Sequence, residues 1–195
     1  MRQSTIRRTT FETDIQLKLN LDGSGKHNID TGIAFMDHML TQIAVHSSFD
    51  LEIEAKGDLA VDQHHTIEDI GLALGQAFDK AIGEKQGIER MGQALVPMDE
   101  SLCRVVADLS GRPYLVFMAE WDDPRVANIP VTLIEHFFYA FCMQAKVTLH
   151  AEVLYGSDNH HKTEALFKAF ARALKSAVKF DPDRQNQIPS SKGTL

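Results

Sequence analysis

The sequence predicts an α+β fold in which a β-β-α-β-α unit occurs twice in tandem and sheets pack against helices. Three observations predict this duplication. The motif His-His-x-x-Glu occurs at 64–68 and again at 160–164, each time at the start of an amphipathic helix. An acid-His pair begins an apolar segment upstream of each copy, at 37–38 and 135–136. In both halves, the spacing of apolar residues switches in the same order between the alternation typical of strands and the period of about 3.6 residues typical of helices.

In the first half, apolar residues that alternate with polar ones predict strands, and an apolar period of about 3.6 residues predicts helices. The first strand ends at the turn Leu21-Asp22-Gly23, and a polar break divides it near Phe11-Glu12. The predicted elements are, in chain order, strand 7–21, strand 28–33, helix 34–45, strand 49–56 and helix 64–82.

The second half repeats this order after a hinge at 83–92. Its predicted elements are strand 101–109, strand 114–120, helix 131–144, strand 146–154 and helix 160–178. Beyond Phe180 the chain is rich in Pro, Ser, Gln and Lys, which is typical of a mobile segment. We expect a single catalytic domain made of a first repeat at 1–86, a second repeat at 87–180 and a mobile C-terminal tail at 181–195.

Composition restricts the class of protein. A chain of 195 residues with 44% hydrophobic content can bury a sizeable core. The net charge of -7, without a basic block, argues against nucleic acid or an anionic membrane as a partner. Residues 1–10 carry no apolar signal region, and no segment has the length of a membrane span. Cys103 and Cys142 lie in apolar stretches, which predicts free core thiols and a cytoplasmic location.

The double-His motif predicts metal binding. Residues three or four apart share one face of a helix, so one His and the Glu can bind one ion while the other His points elsewhere. Each half also offers one imidazole from the helix before its motif, His38 or His136. Together these groups supply six His and two Glu, enough for two metal ions. Imidazole and carboxylate ligands suit Mn, Fe or Zn, and coordination positions left open for substrate favour Mn(II). The candidate ligands are His38, His64, His65, Glu68, His136, His160, His161 and Glu164.

Each motif also has a structural alternative. Asp62 or Thr66 with Asp69 resembles a helix-capping arrangement, and paired His at a helix start can simply be solvated. Two further histidines, His27 and His150, have the pattern of surface residues.

Several segments together resemble the imidazoleglycerol-phosphate dehydratase family of histidine biosynthesis, and the similarity runs almost end to end. The chain departs from the family pattern at Ala34, Gln63 and the pair Ser47-Ser48, but none of these removes a candidate ligand. The segments that carry the resemblance are 31–40, 62–71, 110–113, 135–138, 160–164 and 190–193.

The resemblance implies two ribosomal-S5-domain-2-like repeats, a trimer-based 24-subunit shell and two Mn(II) ions bound where subunits meet. It also implies that the two double-His motifs of one site come from neighbouring chains. Pseudo-symmetry leaves open whether His64 and His65 exchange roles. Carried over by motif, one ion takes His38, His65, Glu68 and His161, and the other takes His64, His136, His160 and Glu164.

The implied reaction is the dehydration of imidazole glycerol phosphate to imidazole acetol phosphate. The carbon proton that is lost is not acidic, because no carbonyl group neighbours it. The resemblance implies that two metal ions bound to the ring nitrogens would favour the imidazolate, whose electrons can expel the adjacent hydroxyl and form a diazafulvene-like intermediate. That intermediate acidifies the carbon proton, and the enol that follows tautomerises to the ketone.

Further site residues follow from the same resemblance and from helix spacing. The candidate catalytic residues are Glu12, Asp99, Glu164 and His65; the alternative for Glu12 and Asp99 is an ordinary surface acid at a turn. Gln42 and His46 continue the helix face that His38 begins, and line the same predicted pocket. The candidate phosphate ligands are Arg90, Arg112, Lys168, Ser191 and Lys192. We expect the segment 190–192 to become ordered over bound substrate.

Two alternatives from other classes remain open. A dinuclear metallohydrolase could use the same ligands to activate water. A non-catalytic metal-binding shell protein would keep the ligands but would not need Glu12, Arg90, Arg112 or Lys192. The chain has no room for a fused phosphatase domain, so we expect a monofunctional enzyme.

Overall fold

The structure is a computed structural model that describes residues 2–184 and 187–195. Residue 1 of the predicted first repeat and residues 185–186 of the predicted tail lie outside the described residues. Over these described residues, the fold consists of two four-stranded sheets, four α-helices and a small two-stranded ribbon. Within the described ranges, every helix is too short or too polar to cross a membrane.

The first half forms a sheet with strand order β1-β2-β4-β3, in which β3 is parallel to β4 and the other pairs are antiparallel. Ile15, Leu17 and Leu19 alternate with exposed residues along β2, so one face of the sheet is buried and the other is open. The elements are β1 (Gln3–Thr9), β2 (Thr13–Asn20), β3 (His27–Asp30), α1 (Ala34–Ser47), β4 (Asp50–Gly57) and α2 (His64–Ile82).

The second half repeats this architecture with strand order β5-β6-β10-β7. The ribbon β8-β9 is inserted before its first helix. A short 3-10 helix, Pro182–Arg184, follows the last element. The elements are β5 (Met91–Met98), β6 (Ser101–Asp108), β7 (Tyr114–Met118), β8 (Arg125–Val126), β9 (Ile129–Pro130), α3 (Thr132–Ala145), β10 (Thr148–Tyr155) and α4 (Asn159–Ala177).

The predicted α+β duplication is confirmed, and each half carries one additional edge strand ahead of its β-β-α-β-α unit. In the first half, the predicted strand 7–21 is a hairpin of β1 and β2. In the second half, β5 occupies part of the predicted hinge. Gly92 and Pro97 argue against a strand there, but an edge strand tolerates both. Gly92 is required because a Cβ atom at this position would overlap the Ala173 carbonyl oxygen of α4.

The helices of each half pack against helices of the other half. α2 packs against α3, and α1 packs against α4, so both helix pairs cross between the halves. Glycines allow the first of these pairs to approach closely. A Cβ atom would lie 2.8 Å from the Phe137 carbonyl oxygen if built on Gly71, and 2.5 Å from that of Phe141 if built on Gly75. This packing places each upstream His beside the double-His motif of the other half.

An aromatic cluster holds this helix layer together beneath the two motifs. Ring centroids lie 5.6 Å apart for Phe78 and Phe141, and 5.0 Å apart for both Phe138–Phe167 and Phe141–Phe170. All of these rings are fully buried. Contacts of this geometry stabilise a core beyond the burial of apolar area alone.

We expect Gly75→Ala to destabilise the chain by about 1–3 kcal/mol, the usual cost of forcing an extra carbon into a packed core. The added methyl group would displace the α3 backbone, since Gln144 Cβ also lies within 2.8 Å of its position. The free energy of unfolding in urea measures the effect. Lys80→Ala on the exposed face of α2 is the control. An unchanged free energy for Gly75→Ala would show that the helices do not approach this closely.

The two cysteines are free and buried, which confirms the prediction of core thiols. Burial raises the pKa of both thiols to about 12, so the reactive thiolate is scarce at pH 8. We expect a disulfide reagent such as Ellman's reagent to leave the native chain unmodified at pH 8. In guanidinium chloride it should titrate both of the 2 cysteines. Rapid reaction of either thiol in the native chain would contradict the observed burial.

Candidate functional site

The Glu164 cluster consists of His38 from α1 with His160 and Glu164 from α4. Both imidazole Nε2 atoms approach the same carboxylate oxygen, Glu164 Oε2, at 3.0 Å for His38 and 3.2 Å for His160. The other oxygen, Oε1, lies 2.7 Å from Lys168 Nζ. Burial alone would raise the pKa of Glu164, but the hydrogen bonds from Lys168 and His38 outweigh it and lower the pKa to about 2. The carboxylate is therefore ionised at neutral pH.

The Glu68 cluster is its counterpart, with His64 and Glu68 from α2 and His136 from α3. The His64 and His136 rings lie 4.7 Å apart, and His136 Nε2 is 3.1 Å from Glu68 Oε1. That contact lacks hydrogen-bond geometry, so the buried His136 Nε2 atom has no hydrogen-bond partner among the described residues. A buried nitrogen left without a partner is costly in a core, whereas a metal ion would satisfy it.

Within one chain, the grouping of ligands differs from the one that the family resemblance implied. His38 lies with Glu164 and not with Glu68, to whose ion the resemblance assigned it. Likewise His136 lies with Glu68 and not with Glu164. The physical reason is the packing of helices across the two halves, because α1 packs on α4 and α2 packs on α3.

Both clusters fit a divalent metal ion. In each, the three candidate ligand atoms all lie within 4.8 Å of one another. Metal–nitrogen bonds of about 2.1 Å allow ligand atoms to lie up to about 4.2 Å apart, so only a small closure is needed. Two imidazoles and one carboxylate suit Mn, Fe or Zn. Each cluster supplies three ligands and leaves positions for others.

The second His of each motif points away from these clusters. His65 Nδ1 lies 3.0 Å from Asp58 Oδ2, and its Nε2 lies 3.7 Å from Glu12 Oε1. A hydrogen bond with Asp58 raises the pKa of His65, with a smaller contribution from Glu12. The carboxylate at Nδ1 turns the Nε2 atom toward the Glu12 hairpin turn.

His161 repeats this arrangement in the second half. Its Nδ1 lies 2.7 Å from Glu100 Oε2, and its Nε2 lies 3.7 Å from Asp99 Oδ2. The hydrogen bond with Glu100 raises the pKa of His161 and lowers the pKa of Glu100. Glu12 and Asp99 therefore occupy equivalent turns, each beside the outward Nε2 atom of one histidine.

Asp58 and Glu100 are site residues that the sequence analysis missed. The repeat between the halves was misleading here. It makes Asp158 the equivalent of Asp58, and so it does not indicate Glu100 as the residue that contacts the second His. Asp158 instead caps α4, and its side chain accepts from the His160 and His161 N–H groups. The start of α4 is therefore capped by Asp158 and also contributes His160 and Glu164 to a candidate metal cluster. The adjacent acids at 99–100 were the available signal for Glu100.

Gln42 and His46 lie on α1, which packs against α4. Gln42 Nε2 is 3.4 Å from His38 Nδ1. Burial lowers the pKa of His46, and the nearby cations Lys168 and Arg172 lower it further. The α4 cations Lys168 and Arg172 therefore lie near His46, and Lys168 also contacts the Glu164 cluster, an arrangement that suits an anion.

The other candidate phosphate ligands lie at the far end of the second sheet. Arg90 binds Asp108 through both Nε, at 2.7 Å, and Nη2, at 3.0 Å, and donates from Nη1 to the Pro189 carbonyl oxygen at 2.7 Å. Arg112 lies in the exposed turn between β6 and β7, and Ser191 and Lys192 are exposed in the tail.

The strand register separates these residues from the clusters of their own chain. Asp108 pairs with Met91 and Thr148 at one end of the sheet, whereas Ser101 pairs with Met98 at the end next to the α4 start. An eight-residue strand spans about 25 Å. Arg90 therefore cannot reach a ligand on the metal cluster of the same chain.

The sequence was compared with known families and proteins. A family model described as imidazoleglycerol-phosphate dehydratase matches residues 31–174. The chain belongs to the imidazoleglycerol-phosphate dehydratase family. An imidazoleglycerol-phosphate dehydratase from Gluconacetobacter diazotrophicus is 55% identical over 194 residues, which cover 100% of this chain and 98% of the relative. One from Acidithiobacillus ferrooxidans is 53% identical, with the same coverage of 100% and 98%.

Solved structures of imidazoleglycerol-phosphate dehydratases share the fold. The enzyme from Staphylococcus aureus has a TM-score of 0.83 and 39% identity, with 92% of this chain and 99% of that chain covered. The enzyme from Pyrococcus furiosus has a TM-score of 0.85 and 36% identity, with 97% and 100% covered. The resemblance drawn from the motifs is confirmed, and the family is one of hydro-lyases, the enzyme class that carries out the dehydration implied by the resemblance.

Proposed function

We propose that the chain catalyses the dehydration of imidazole glycerol phosphate to imidazole acetol phosphate in histidine biosynthesis, with two Mn(II) ions per active site. The observation that carries this proposal is the pair of matching clusters, each with two imidazoles and one carboxylate in metal-binding range. Membership of the imidazoleglycerol-phosphate dehydratase family supplies the substrate. Two buried free thiols support a cytoplasmic location.

The residues around the clusters have distinct proposed roles. When bound, the two metal ions would act as Lewis acids that favour the imidazolate form of the substrate ring. Glu12 and Asp99 lie at the edge of the site and can hold protons from the substrate hydroxyl groups or carbon. Glu164 stays ionised and presents one oxygen to the cluster while Lys168 holds the other.

We also propose that each active site is completed by neighbouring chains. His65 and His161 direct Nε2 away from the clusters of their own chain, so they would supply ligands for ions held by another. Arg90, Arg112 and the tail residues Ser191 and Lys192 lie too far from those clusters to serve them within the chain. They would bind the substrate phosphate in a neighbouring subunit, with the segment 190–192 ordered over it.

The two sheets differ in a way that supports assembly. The outer face of the first sheet carries charged pairs such as Lys18–Glu52, whose side-chain atoms lie 2.7 Å apart. The outer face of the second sheet also carries the Arg104–Glu152 ion pair, but it exposes Leu95 (61%), Val106 (37%) and Met118 (50%) as well. Exposed apolar patches of this kind mark association surfaces. A trimer-based 24-subunit shell would bury this face. Gel filtration with light scattering measures the mass of the assembly and so tests this proposal.

Incubating metal-free protein with Mn(II) and imidazole glycerol phosphate tests the proposed reaction. We expect formation of the ketone imidazole acetol phosphate, and we expect a chelator to abolish it. Release of inorganic phosphate without the ketone would instead identify a metallohydrolase. Full metal loading without any turnover would identify a non-catalytic metal-binding shell protein. Either of these two results would contradict the proposed dehydratase reaction.

A further inference from the structure

His65 and His161, the second histidines of the two motifs, are each contacted at Nδ1 by a carboxylate. Asp58 approaches His65 Nδ1 with both oxygens, at 3.2 Å and 3.0 Å, and Glu100 approaches His161 Nδ1 at 2.7 Å. An ionised carboxylate only accepts hydrogen bonds, so each Nδ1 atom must carry the hydrogen. In the neutral imidazole the lone pair is then on Nε2, the atom that a metal ion requires.

We propose that Asp58 and Glu100 are positioning residues that lock His65 and His161 into the Nδ1–H tautomer, so that Nε2 can bind an ion held by another chain. This inference rests on the proposed interfacial metal site and deepens it. Neither acid lies in the metal clusters of its own chain. Each therefore acts through a histidine, and neither touches the reacting atoms.

Glu100 is itself fixed by several donors. Its Oε1 atom accepts from the backbone N–H groups of Ser157 at 3.0 Å and Asp158 at 2.9 Å, and from Ser101 Oγ at 2.8 Å. This leaves Oε2 free to accept from His161. One carboxylate therefore ties the turn that carries Asp99 to the loop that precedes α4.

Asp58 makes the matching contact in the first half, although it follows β4 whereas Glu100 lies in the turn between β5 and β6. Its backbone N–H group donates to the Glu12 carbonyl oxygen at 3.0 Å, so it links the first hairpin turn to His65. Each half therefore combines the same three groups. They are an acid in the hairpin turn (Glu12 or Asp99), an orienting carboxylate (Asp58 or Glu100) and the second His of the motif. The orienting carboxylate comes from the loop after β4 in one half and from the turn between β5 and β6 in the other, so the contact with Nδ1 is retained although its place in the chain is not.

The variants Glu100→Gln and Asp58→Asn test this inference. An amide keeps the shape of the acid but can donate to Nδ1, which moves the imidazole hydrogen to Nε2 and blocks coordination. We expect each variant to bind Mn(II) about 10–100-fold more weakly than the wild type, the usual effect of losing such a partner. Glu54→Gln, which removes the same charge from the outer face of the first sheet, should bind Mn(II) like the wild type. Unchanged affinity in both site variants would overturn the inference.

A second measurement does not depend on metal binding. Nitrogen-15 solid-state NMR of histidine-labelled, metal-free protein, at a pH above the raised pKa of His161 where the imidazole is neutral, reports which ring nitrogen carries hydrogen. His161→Asn identifies the His161 signals. We expect Nδ1–H in the wild type and Nε2–H in Glu100→Gln. An Nε2–H tautomer in the wild type would overturn the inference even if the protein binds Mn(II). Conversely, the expected tautomers in a protein that binds no Mn(II) would support the positioning role and contradict the proposed metal site.

Discussion

Glu164→Gln is expected to lower kcat/KM for imidazole glycerol phosphate by on the order of a thousand-fold, equivalent to about 4 kcal/mol of transition-state stabilisation. Glu164 Oε2 is the atom on which His38 and His160 converge, and Oε1 holds Lys168. The amide lacks the negative charge that a metal ion needs from this position. Steady-state kinetics and the metal content of the purified protein measure the two effects.

The control for this variant is Glu54→Gln, since Glu54 is exposed on the outer face of the first sheet. We expect it to retain turnover within about twofold, as surface substitutions away from such features usually have small effects. Wild-type turnover and a full complement of metal in Glu164→Gln would show that this carboxylate is not a ligand.

Two inactive variants are expected to restore activity when they assemble together. Glu164→Gln damages the metal cluster, and Lys192→Ala removes a phosphate ligand that we assign to a neighbouring chain. In the proposed shell, reassembled from equal amounts of both variants, random mixing would leave about one quarter of the sites with both surfaces intact. We therefore expect about that share of wild-type turnover. Activity is measured against the ratio of the two chains.

A mixture of Glu164→Gln with His160→Ala is the matched control. Both residues belong to one cluster on one helix, so no site in the mixture contains an intact cluster. We expect no recovery from this pair. If the Lys192→Ala mixture also recovers nothing, although mass spectrometry shows mixed particles, then the phosphate ligand and the cluster must come from one chain.

The local parts of this structure could be predicted from sequence. The double-His motifs start helices, and the apolar periods place most strands, because these signals depend on residues close together in the chain. The additional strand β5 could not be predicted in this way. Gly92 weakens its local signal, and only the close approach of α4 explains why glycine is needed there.

The grouping of the site residues depends on contacts between distant segments. Sequence spacing paired His38 with the first motif, but α1 packs on α4 and brings it to Glu164, 126 residues further along the chain. The pair Gly71 and Gly75 was the one local hint of a close helix crossing on α2. Asp58 and Glu100 were missed for the same reason, since their role depends on side-chain direction and not on spacing.

The central claim is that two metal ions lie where chains meet, each on one intrachain cluster and completed by a histidine from another chain. An anomalous-scattering map of crystals grown with Mn(II) tests this claim most directly. We predict two peaks per chain, one at His38, His160 and Glu164 and the other at His64, Glu68 and His136, each also contacted by His65 or His161 of a neighbouring subunit. A single peak, or peaks whose protein ligands all come from one chain, would contradict the claim.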